Sequence, residues 1–307
     1  MAEPVFARVA LVGAGLIGSS IARAARAFDA AREIAILDAA PDVMARVREL
    51  GIADEASGDP ASALKGADLV VICTPVGVCG AVAQTLAPHL APGAILSDVG
   101  SVKGEVVAQV APHVPAGVHF VPAHPIAGTE FSGPDAGFAT LFQNRWCILT
   151  PPDGADPRAV ARLADFWTRI GAKVETMSPD HHDRVLALTS HLPHLIAYNI
   201  VGTADDFGED TRSEVIKFSA SGFRDFTRIA ASDPTMWRDI FLSNREAVLE
   251  MLGRFNEDLS VLQRMIRRGD GQGLFDFFTR TRAIRRSIIQ QGQDTAAPDF
   301  GRRESDQ

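Results

Sequence analysis

The sequence predicts an α/β fold in which an N-terminal, doubly wound parallel sheet is followed by an all-helical domain. Three observations support this prediction: short apolar runs alternate with helical patterns up to residue 150, a glycine-rich turn follows the first run, and helical patterns dominate beyond residue 179. A chain of 307 residues is long enough for two ordinary domains. We predict a first domain over residues 1–178, a second over 179–292, and a flexible polar tail over 293–307.

The first domain begins with alternating strands and helices. The apolar run ARVALVG precedes a helical pattern from Leu16 to about Phe28, and the run EIAILD precedes a second pattern that extends through Val43 to Leu50. The run LVVIC has no polar alternation, which is typical of a parallel strand buried on both faces. LVVIC lies in the first of four strand-like segments that follow the second helical pattern, at residues 67–75, 93–101, 118–125 and 145–151, and Pro and Gly turns separate these segments.

Strand-like runs become rare after the turn at Pro151 and Pro152. A helix at 157–170 and a short strand at 172–179 precede four helical patterns, at residues 180–206, 213–230, 234–268 and 272–290. The third pattern carries apolar residues at helical spacing from Trp237 to Leu262. Such a long helix predicts extensive packing between helices, either within the chain or across a dimer interface.

Composition and charge narrow the classes of function. The chain has 30 Lys and Arg residues against 38 Asp and Glu, a formal net charge of −8, which argues against nucleic acid as a partner but leaves small anionic ligands open. Cys73, Cys79 and Cys147 lack the spacing of a metal site or a disulfide framework, so we predict no metal. The N-terminus does not resemble a signal peptide and no apolar stretch has the length of a membrane helix, so we expect a cytoplasmic protein without a membrane partner.

A glycine-rich motif lies at the turn between the first strand and the first helix. Residues 13–18 read G-x-G-x-x-G: the first Gly permits a tight turn, the second lets a pyrophosphate approach the backbone, and the third allows helix and strand to pack closely. Asp38 closes the second strand, 20 residues beyond Gly18, where a carboxylate binds ribose hydroxyls and repels a 2′-phosphate. The motif predicts a Rossmann-type domain that binds NAD rather than NADP. The predicted cofactor contacts here are Gly13, Gly15, Leu16, Ile17, Gly18 and Asp38.

Thr74, Pro75 and Ser101 follow two later strands, at the carboxyl edge of the predicted sheet. Ligands of such sheets bind at this edge, so the three residues are candidates for cofactor contact. Ordinary turn chemistry explains their positions equally well.

Histidines supply the candidates for acid–base chemistry. His124 lies in PAHPIAGTEFSGP directly after a strand, and loops at strand ends commonly carry function. His191 and His194 lie in SHLPHLIAY, where Pro193 kinks or interrupts a long helix. From the residues alone, a structural role with satisfied hydrogen bonds explains each of these three histidines better than a catalytic one. The other five histidines, including His182, fit surface or core positions.

Arg224 and Arg228 lie four residues apart in SGFRDFTR. On a helix they would share one face and could hold a carboxylate with their planar guanidinium groups. Surface pairing with Asp225 or Asp233 is the alternative explanation. With a dinucleotide site and a histidine, these arginines describe a minimal dehydrogenase: a hydride acceptor, a general base and an anion clamp.

The chain resembles the prephenate/arogenate dehydrogenases of tyrosine biosynthesis. The resemblance rests on five motifs in the expected order: GAGLIGSS, DVGSVKG, HPIAGTEFSG, SHLPH and GFRDFTRIAASDPTMWRDIF. It spans the chain from residue 7 to about 290, and the later motifs are far more specific than the first. It implies an NAD-dependent oxidative decarboxylation that yields 4-hydroxyphenylpyruvate from prephenate or tyrosine from arogenate.

The resemblance also implies roles for individual residues. His124 accepts the proton of the 4-hydroxyl group of the substrate, and Ser101 orients that hydroxyl and His124. Arg228 binds a substrate carboxylate, with Arg224 and Lys103 as further cations for the anionic substrate. The remaining implied site residues are His194, Glu130 and Trp237, of which Trp237 reaches in from the partner subunit of a homodimer.

Two alternatives stay open at this stage. Another two-domain NAD-dependent hydroxyacid dehydrogenase would need a catalytic lysine in the helical half, where Lys217 is the only lysine beyond residue 173. A non-catalytic NAD sensor would need only the cofactor site, not the histidines and arginine of the later motifs. The sequence does not distinguish prephenate from arogenate as the substrate.

Overall fold

The computed structural model describes residues 3–129, 131–206 and 220–290. Contacts among the described residues divide the chain into two compact units, with the division between Leu249 and Glu250. None of the helices in the described ranges is long and apolar enough to cross a membrane.

The first unit is built on a six-stranded, wholly parallel sheet. Its strands have the spatial order β3-β2-β1-β4-β5-β6, which confirms the predicted doubly wound sheet. The order reverses between β1 and β4, and ligands of such sheets bind at the carboxyl edge beside that point. The six strands are β1 (Phe6–Val12), β2 (Ala31–Leu37), β3 (Glu55–Ser57), β4 (Leu69–Ile72), β5 (Ile95–Asp98) and β6 (His119–Phe120).

Helices cover both faces of this sheet. Val9 and Leu11 of β1 pack into one buried cluster, whereas Ala10 and Val12 pack into a second cluster on the opposite face. The helices of this part are α1 (Leu16–Ala27), α2 (Pro41–Leu50), α3 (Pro60–Ala63), α4 (Cys79–Leu86), α5 (Gly104–Val110) and α6 (Pro157–Arg169). The first cluster contains buried residues of α1 and α6, and the second contains residues of α4 and α5.

A second, three-stranded sheet contains β7 (Ala123–Pro125), β8 (Trp146–Leu149) and β9 (Lys173–Thr176). The prediction of one strand over 118–125 is therefore wrong, because β6 pairs with β5 whereas β7 pairs antiparallel with β8. Pro122 lies between them and has no N–H to continue the first ladder, while its carbonyl accepts the N–H of Thr150 beside β8. This change of sheet places His124 on β7, in register with Ile148.

The remainder of the first unit is helical as far as it is described. Its elements are α7 (Pro179–Leu186), a π-helical turn (Ala187–His191), α8 (Leu192–Asp205), α9 (Ser221–Thr227), a 3₁₀ turn (Arg228–Ala231), α10 (Pro234–Ser243) and the start of α11 (Arg245–Arg268). The second unit contains the rest of α11 and α12 (Gly271–Gln290). The predicted helix start at 213–219 and the predicted tail at 293–307 lie outside the described residues.

Two predicted long helices are interrupted. The pattern at 180–206 is divided by the π-helical turn, which ends just before Pro193 in the first turn of α8. The pattern at 234–268 is divided at Asn244, whose backbone leaves the helical region at φ −109° and ψ 33°. The Asn244 side chain donates to the carbonyl of Asp183 at 2.8 Å, so a contact distant in sequence fixes the break.

Candidate active site

The glycine motif forms the turn from β1 into α1. Gly13 has φ +105°, and a Cβ there would lie 2.9 Å from the carbonyl oxygen of Cys73, next to the end of β4. A Cβ on Gly18 would lie 2.0 Å from the carbonyl oxygen of Gly13. These two positions need glycine for packing within the chain, as the motif predicts.

Gly15 is different, because a Cβ there would meet no atom within 4 Å. It is the N-cap of α1, where no described side chain caps the helix and no acidic residue lies in the first turn. A helix start with exposed N–H groups and positive dipole suits an anion, and the missing side chain leaves room for one. The residues present therefore fit the pyrophosphate of NAD.

Asp38 follows β2 at the same edge of the sheet. Its carboxylate accepts the N–H of Ala14 at 2.9 Å and the N–H of Ala40 at 2.9 Å. These bonds hold an acidic group beside the glycine turn, as a ribose-binding residue requires. Thr74 lies nearby, since a Cβ on Gly13 would be 3.4 Å from its methyl carbon. The sheet thus brings the predicted cofactor residues of three segments together.

His124 lies in a buried chain of titratable side chains. Its Nδ1 is 2.8 Å from Nε2 of His182, and Nδ1 of His182 is 2.8 Å from a carboxylate oxygen of Asp183. His124 is 8% exposed and His182 is fully buried. This pairing corrects the prediction that His182 occupies an ordinary surface or core position.

Asp183 connects the hydrogen-bonded side chains of His124 and His182 to the start of α5. Its two carboxylate oxygens accept the N–H groups of Lys103 and Gly104, each at 2.8 Å. The Lys103 ammonium group is fully buried, pairs with Asp98 and donates to the carbonyl of Ala123 at 2.7 Å. Lys103 thus holds the residue before His124, and the expectation that it serves as a substrate cation is wrong because no part of its side chain is exposed.

The two histidines of the SHLPH segment lie close to the end of the π-helical turn. His191 is the last residue of that turn, and His194 lies in the first turn of α8. His191 is buried, and its Nδ1 lies 3.1 Å from the Asn244 amide nitrogen. Burial lowers the pKa of this ring, and the backbone of Ser101 is among the groups that oppose that shift. His194 bonds through Nδ1 to the carbonyl of Ser190 at 2.8 Å.

Trp237 stacks on His194 within the chain, with ring centroids 3.7 Å apart and an angle of 23° between the planes. Trp237 is 6% exposed and also packs against Phe241. The expectation that Trp237 reaches in from a partner subunit is therefore wrong, because its own chain buries it.

Arginines of the GFRDFTR segment lie on α9 and at its end. Arg228 begins the 3₁₀ turn and Arg224 lies one helical turn earlier, both with exposed side chains. Burial lowers the pKa of His194, and the hydrogen bond to the Ser190 backbone opposes this shift. The positive charge of Arg228 lowers the pKa further. A carboxylate near Arg228 would therefore also lie near His194.

The environment keeps the buried histidines neutral. Burial lowers the pKa of His124 well below its ordinary value, and His182, Lys103 and His191 act in the same direction. Burial also lowers the pKa of His191 to about 4. His124 is thus available as a proton acceptor at neutral pH.

The structure places the predicted residues in two groups. One lies at the carboxyl edge of the sheet around Gly13, Asp38 and Thr74. The other is linked through His191, which acts on His124 electrostatically and whose ring lies 6.1 Å from that of Trp237, the stacking partner of His194. Glu130 lies outside the described residues. Among those described, no three His, Cys, Asp or Glu side chains cluster as metal ligands.

Sequence reasoning missed the residues that support His124. Asp98, His182, Asp183 and Asn244 are separated from their partners by up to 80 residues. The available signals were weak: a histidine next to an aspartate in PDHHDR, and an aspartate five residues before a lysine in DVGSVK.

Family comparisons agree with this arrangement. Residues 21–176 match the family model for the nucleotide-binding domain of prephenate dehydrogenase. Residues 178–280 match the model for the dimerization domain of prephenate dehydrogenase. The two matches follow each other along the chain.

Two curated relatives are similar over most of the chain. A cyclohexadienyl dehydrogenase of Zymomonas mobilis is 43% identical over 92% of this chain and 97% of its own. A prephenate dehydrogenase of Bacillus subtilis is 34% identical over 95% of this chain and 78% of its own.

A solved structure extends the comparison to three dimensions. Prephenate dehydrogenase from A. aeolicus, in complex with hydroxyphenyl propionate and NAD⁺, has a TM-score of 0.86 and 34% identity, covering 92% of this chain and 98% of that one. Sequence matches to both family models and a shared fold at this identity lead to one conclusion. The chain belongs to the prephenate dehydrogenase family.

Proposed function

We propose that the protein catalyses the NAD-dependent oxidative decarboxylation of prephenate, arogenate or both. The observation that carries the proposal is His124, a buried histidine held neutral in the same compact unit as an NAD-type glycine turn and Arg228. Family membership supports this reaction over the hydroxyacid dehydrogenase and NAD-sensor alternatives.

When bound, NAD⁺ accepts a hydride from the substrate ring carbon that bears the 4-hydroxyl. Gly15 and the start of α1 receive the pyrophosphate, and Asp38 binds the ribose hydroxyls. Thr74 and Pro75, after β4, and Leu16 and Ile17, in the first turn of α1, complete the proposed cofactor contacts.

His124 accepts the proton of the 4-hydroxyl as the carbonyl forms, and loss of CO2 then makes the ring aromatic. Ser101 orients the hydroxyl. The effect of its backbone on the pKa of His191 supports a position close to the buried histidines. His194 and Trp237 line the site as a stacked pair. Aromatisation supplies much of the driving force, so the main task of these side chains is to position the substrate.

Arg228 binds a substrate carboxylate, with Arg224 as a second cation. The role of Glu130, which lies outside the described residues, stays a prediction from the sequence. The electrostatic effect of Arg228 on His194 supports its place near the substrate. Arg228→Ala should raise KM for the substrate about 10- to 100-fold, since a hydrogen bond to a charged group contributes about 1.5–3 kcal/mol. Arg245→Ala, which changes an exposed arginine paired with Glu246, is the control, and an unchanged KM in Arg228→Ala would remove Arg228 from the carboxylate site.

The protein is proposed to act as a homodimer formed by its helical domain. The match of residues 178–280 to a dimerization domain supports this, as do the apolar side chains that the second unit exposes. Those exposed side chains are Leu259, Val261, Ile266, Phe275, Phe278 and Ile284. Sedimentation equilibrium should give twice the chain mass of 32.8 kDa, and a monomer at micromolar concentration would contradict the proposal.

The domain boundary at 178/179 stays a proposal, which the division between the two family matches supports. A cytoplasmic location stays a prediction from the sequence.

The experiment that tests the proposed function follows NADH absorbance with purified protein and NAD⁺. Prephenate and arogenate are supplied in parallel reactions, and at least one should produce NADH and release CO2 in equal amounts. The ratio of kcat/KM values for the two substrates gives the preference between keto and amino side chains. No NADH with either substrate would contradict the proposal.

A further inference from the structure

We propose that His182 and Asp183 are positioning residues that fix His124 in the tautomer with an unprotonated Nε2 and stabilise the cation formed when Nε2 accepts a proton. This inference deepens the proposed function and rests on it for its kinetic consequences. The tautomer itself follows from hydrogen bonds within the chain.

Asp183 has a hydrogen-bonding role that the backbone fixes. Its two oxygens accept the N–H groups of Lys103 and Gly104. An ionised carboxylate only accepts hydrogen bonds, so the oxygen 2.8 Å from Nδ1 of His182 must accept there as well. Nδ1 of His182 therefore carries a proton.

His182 passes this polarity to His124. Burial lowers the pKa of His182, and a neutral ring that is protonated on Nδ1 has a lone pair on Nε2. That Nε2 lies 2.8 Å from Nδ1 of His124, so Nδ1 of His124 must be the donor. Neutral His124 then has its lone pair on Nε2, the nitrogen left to face a substrate.

Other charged or titratable groups around the pair do not reverse this polarity. Lys103 and Asp98 face the pair but are bound to each other, and the lysine also binds the Ala123 carbonyl. His191 is a further titratable neighbour, and burial keeps it neutral with a pKa of about 4.

The hydrogen bonds from His124 to His182 and from His182 to Asp183 also stabilise the product of proton transfer. When Nε2 of His124 takes the hydroxyl proton, the O–H bond breaks, an N–H bond forms, and the ring becomes positively charged. Its Nδ1–H still donates to His182, and the Asp183 carboxylate lies behind that ring. Because the site is buried, solvent screens this attraction weakly.

Three variants test whether His182 and Asp183 increase kcat by positioning His124. His182→Leu removes the acceptor for Nδ1–H and should lower kcat about 100-fold, near the lower end of the effect of a general base. His182→Gln offers a carbonyl oxygen in its place and should retain more activity than the leucine variant. Asp183→Asn, which can present an amide N–H to His182 and reverse both tautomers, should lose at least as much activity as His182→Leu.

The readouts separate positioning from a purely structural role. Affinity for NAD⁺ and KM for the substrate should stay within about threefold of wild type in folded His182 variants, as judged by thermal melting, while kcat falls. His181→Leu changes the neighbouring exposed histidine and is the matched control. Wild-type kcat in a folded His182→Leu protein would overturn the inference.

A spectroscopic measurement decides the tautomer without activity. Protein labelled with ¹⁵N-histidine, with His124 assigned through loss of its signals in His124→Asn, should show an Nδ1–H, unprotonated-Nε2 ring in wild type. Asp183→Asn should shift that ring toward the Nε2–H form. An Nε2–H ring in wild type would overturn the inference, whereas absence of NADH formation by wild type, with the predicted tautomer present, would count against the proposed function alone.

Discussion

The glycine turn and the hydrogen-bond network around His124 differ in how the chain builds them. The glycine turn uses six consecutive residues plus Asp38, and its main constraints are backbone contacts within the turn and with the end of β4. The network around His124 joins β5, β7, α7 and the end of α10 through buried side chains up to 80 residues apart. The glycine turn is a local site, so a change at a position such as Gly15 need not affect the fold. The residues around His124 belong to a network that also stabilises the fold.

The largest effect we expect comes from His124 itself. His124→Asn removes the proton acceptor and should lower kcat about 10²- to 10⁴-fold, the usual contribution of a general base. His89→Asn, at an exposed position in the turn after α4, should leave kcat unchanged. Steady-state NADH formation measures both, and near-normal turnover by the His124 variant would show that another group accepts the proton.

Lys103→Met tests whether the network around His124 also stabilises the fold. The change leaves Asp98 buried without its cation, which should lower the free energy of unfolding by about 3–5 kcal/mol. Lys65→Met, at an exposed lysine, should change it by less than about 0.5 kcal/mol. Urea denaturation compares the two variants, and equal stabilities would mean that the Asp98–Lys103 pair is not needed for the fold.

Two alanine variants divide the glycine turn into a packing part and a cofactor part. Gly18→Ala forces a Cβ against the Gly13 carbonyl and should cost about 1–3 kcal/mol of stability, with weaker NAD⁺ binding. Gly15→Ala meets no protein atom, so its melting temperature should match wild type while its NAD⁺ affinity falls. Calorimetry and NAD⁺ titration measure these quantities. Equal melting temperatures for both variants would contradict the division.

The last expected effect concerns pH. The pKa of His191 is lowered from its ordinary value of 6.5 to about 4 by burial, so below pH 6.5 the unfolded chain binds a proton that the folded chain does not. Stability should therefore fall as the pH drops from 6.5 towards 4, by up to about 1.4 kcal/mol per pH unit for this group. His191→Gln should flatten that slope in urea denaturation at several pH values, and an unchanged slope would assign the pH dependence to other groups.

The same contrast explains what the sequence could predict. The turn at residues 13–18, the parallel sheet and Asp38 follow from contiguous patterns, because local chemistry dictates glycine and a terminal carboxylate there. The histidine and arginine candidates depended on a resemblance across motifs rather than on periodicity.

What could not be predicted depends on distant partners. Asn244 breaks a helix because its amide binds the Asp183 carbonyl, 61 residues away. His182 and Asp183 matter because the fold brings them to His124 and to the start of α5. Pro122 moves the chain from one sheet to another, an outcome that an apolar run alone does not reveal.

The most direct test of His124 as the proton acceptor measures cofactor binding and chemistry in the same samples. NAD⁺ titration followed by single-turnover NADH formation with prephenate or arogenate compares wild type with His124→Asn. We predict equal NAD⁺ affinity and a single-turnover rate at least about 100-fold lower in the variant. Equal rates, or a loss of NAD⁺ affinity as large as the loss of rate, would contradict this role of His124.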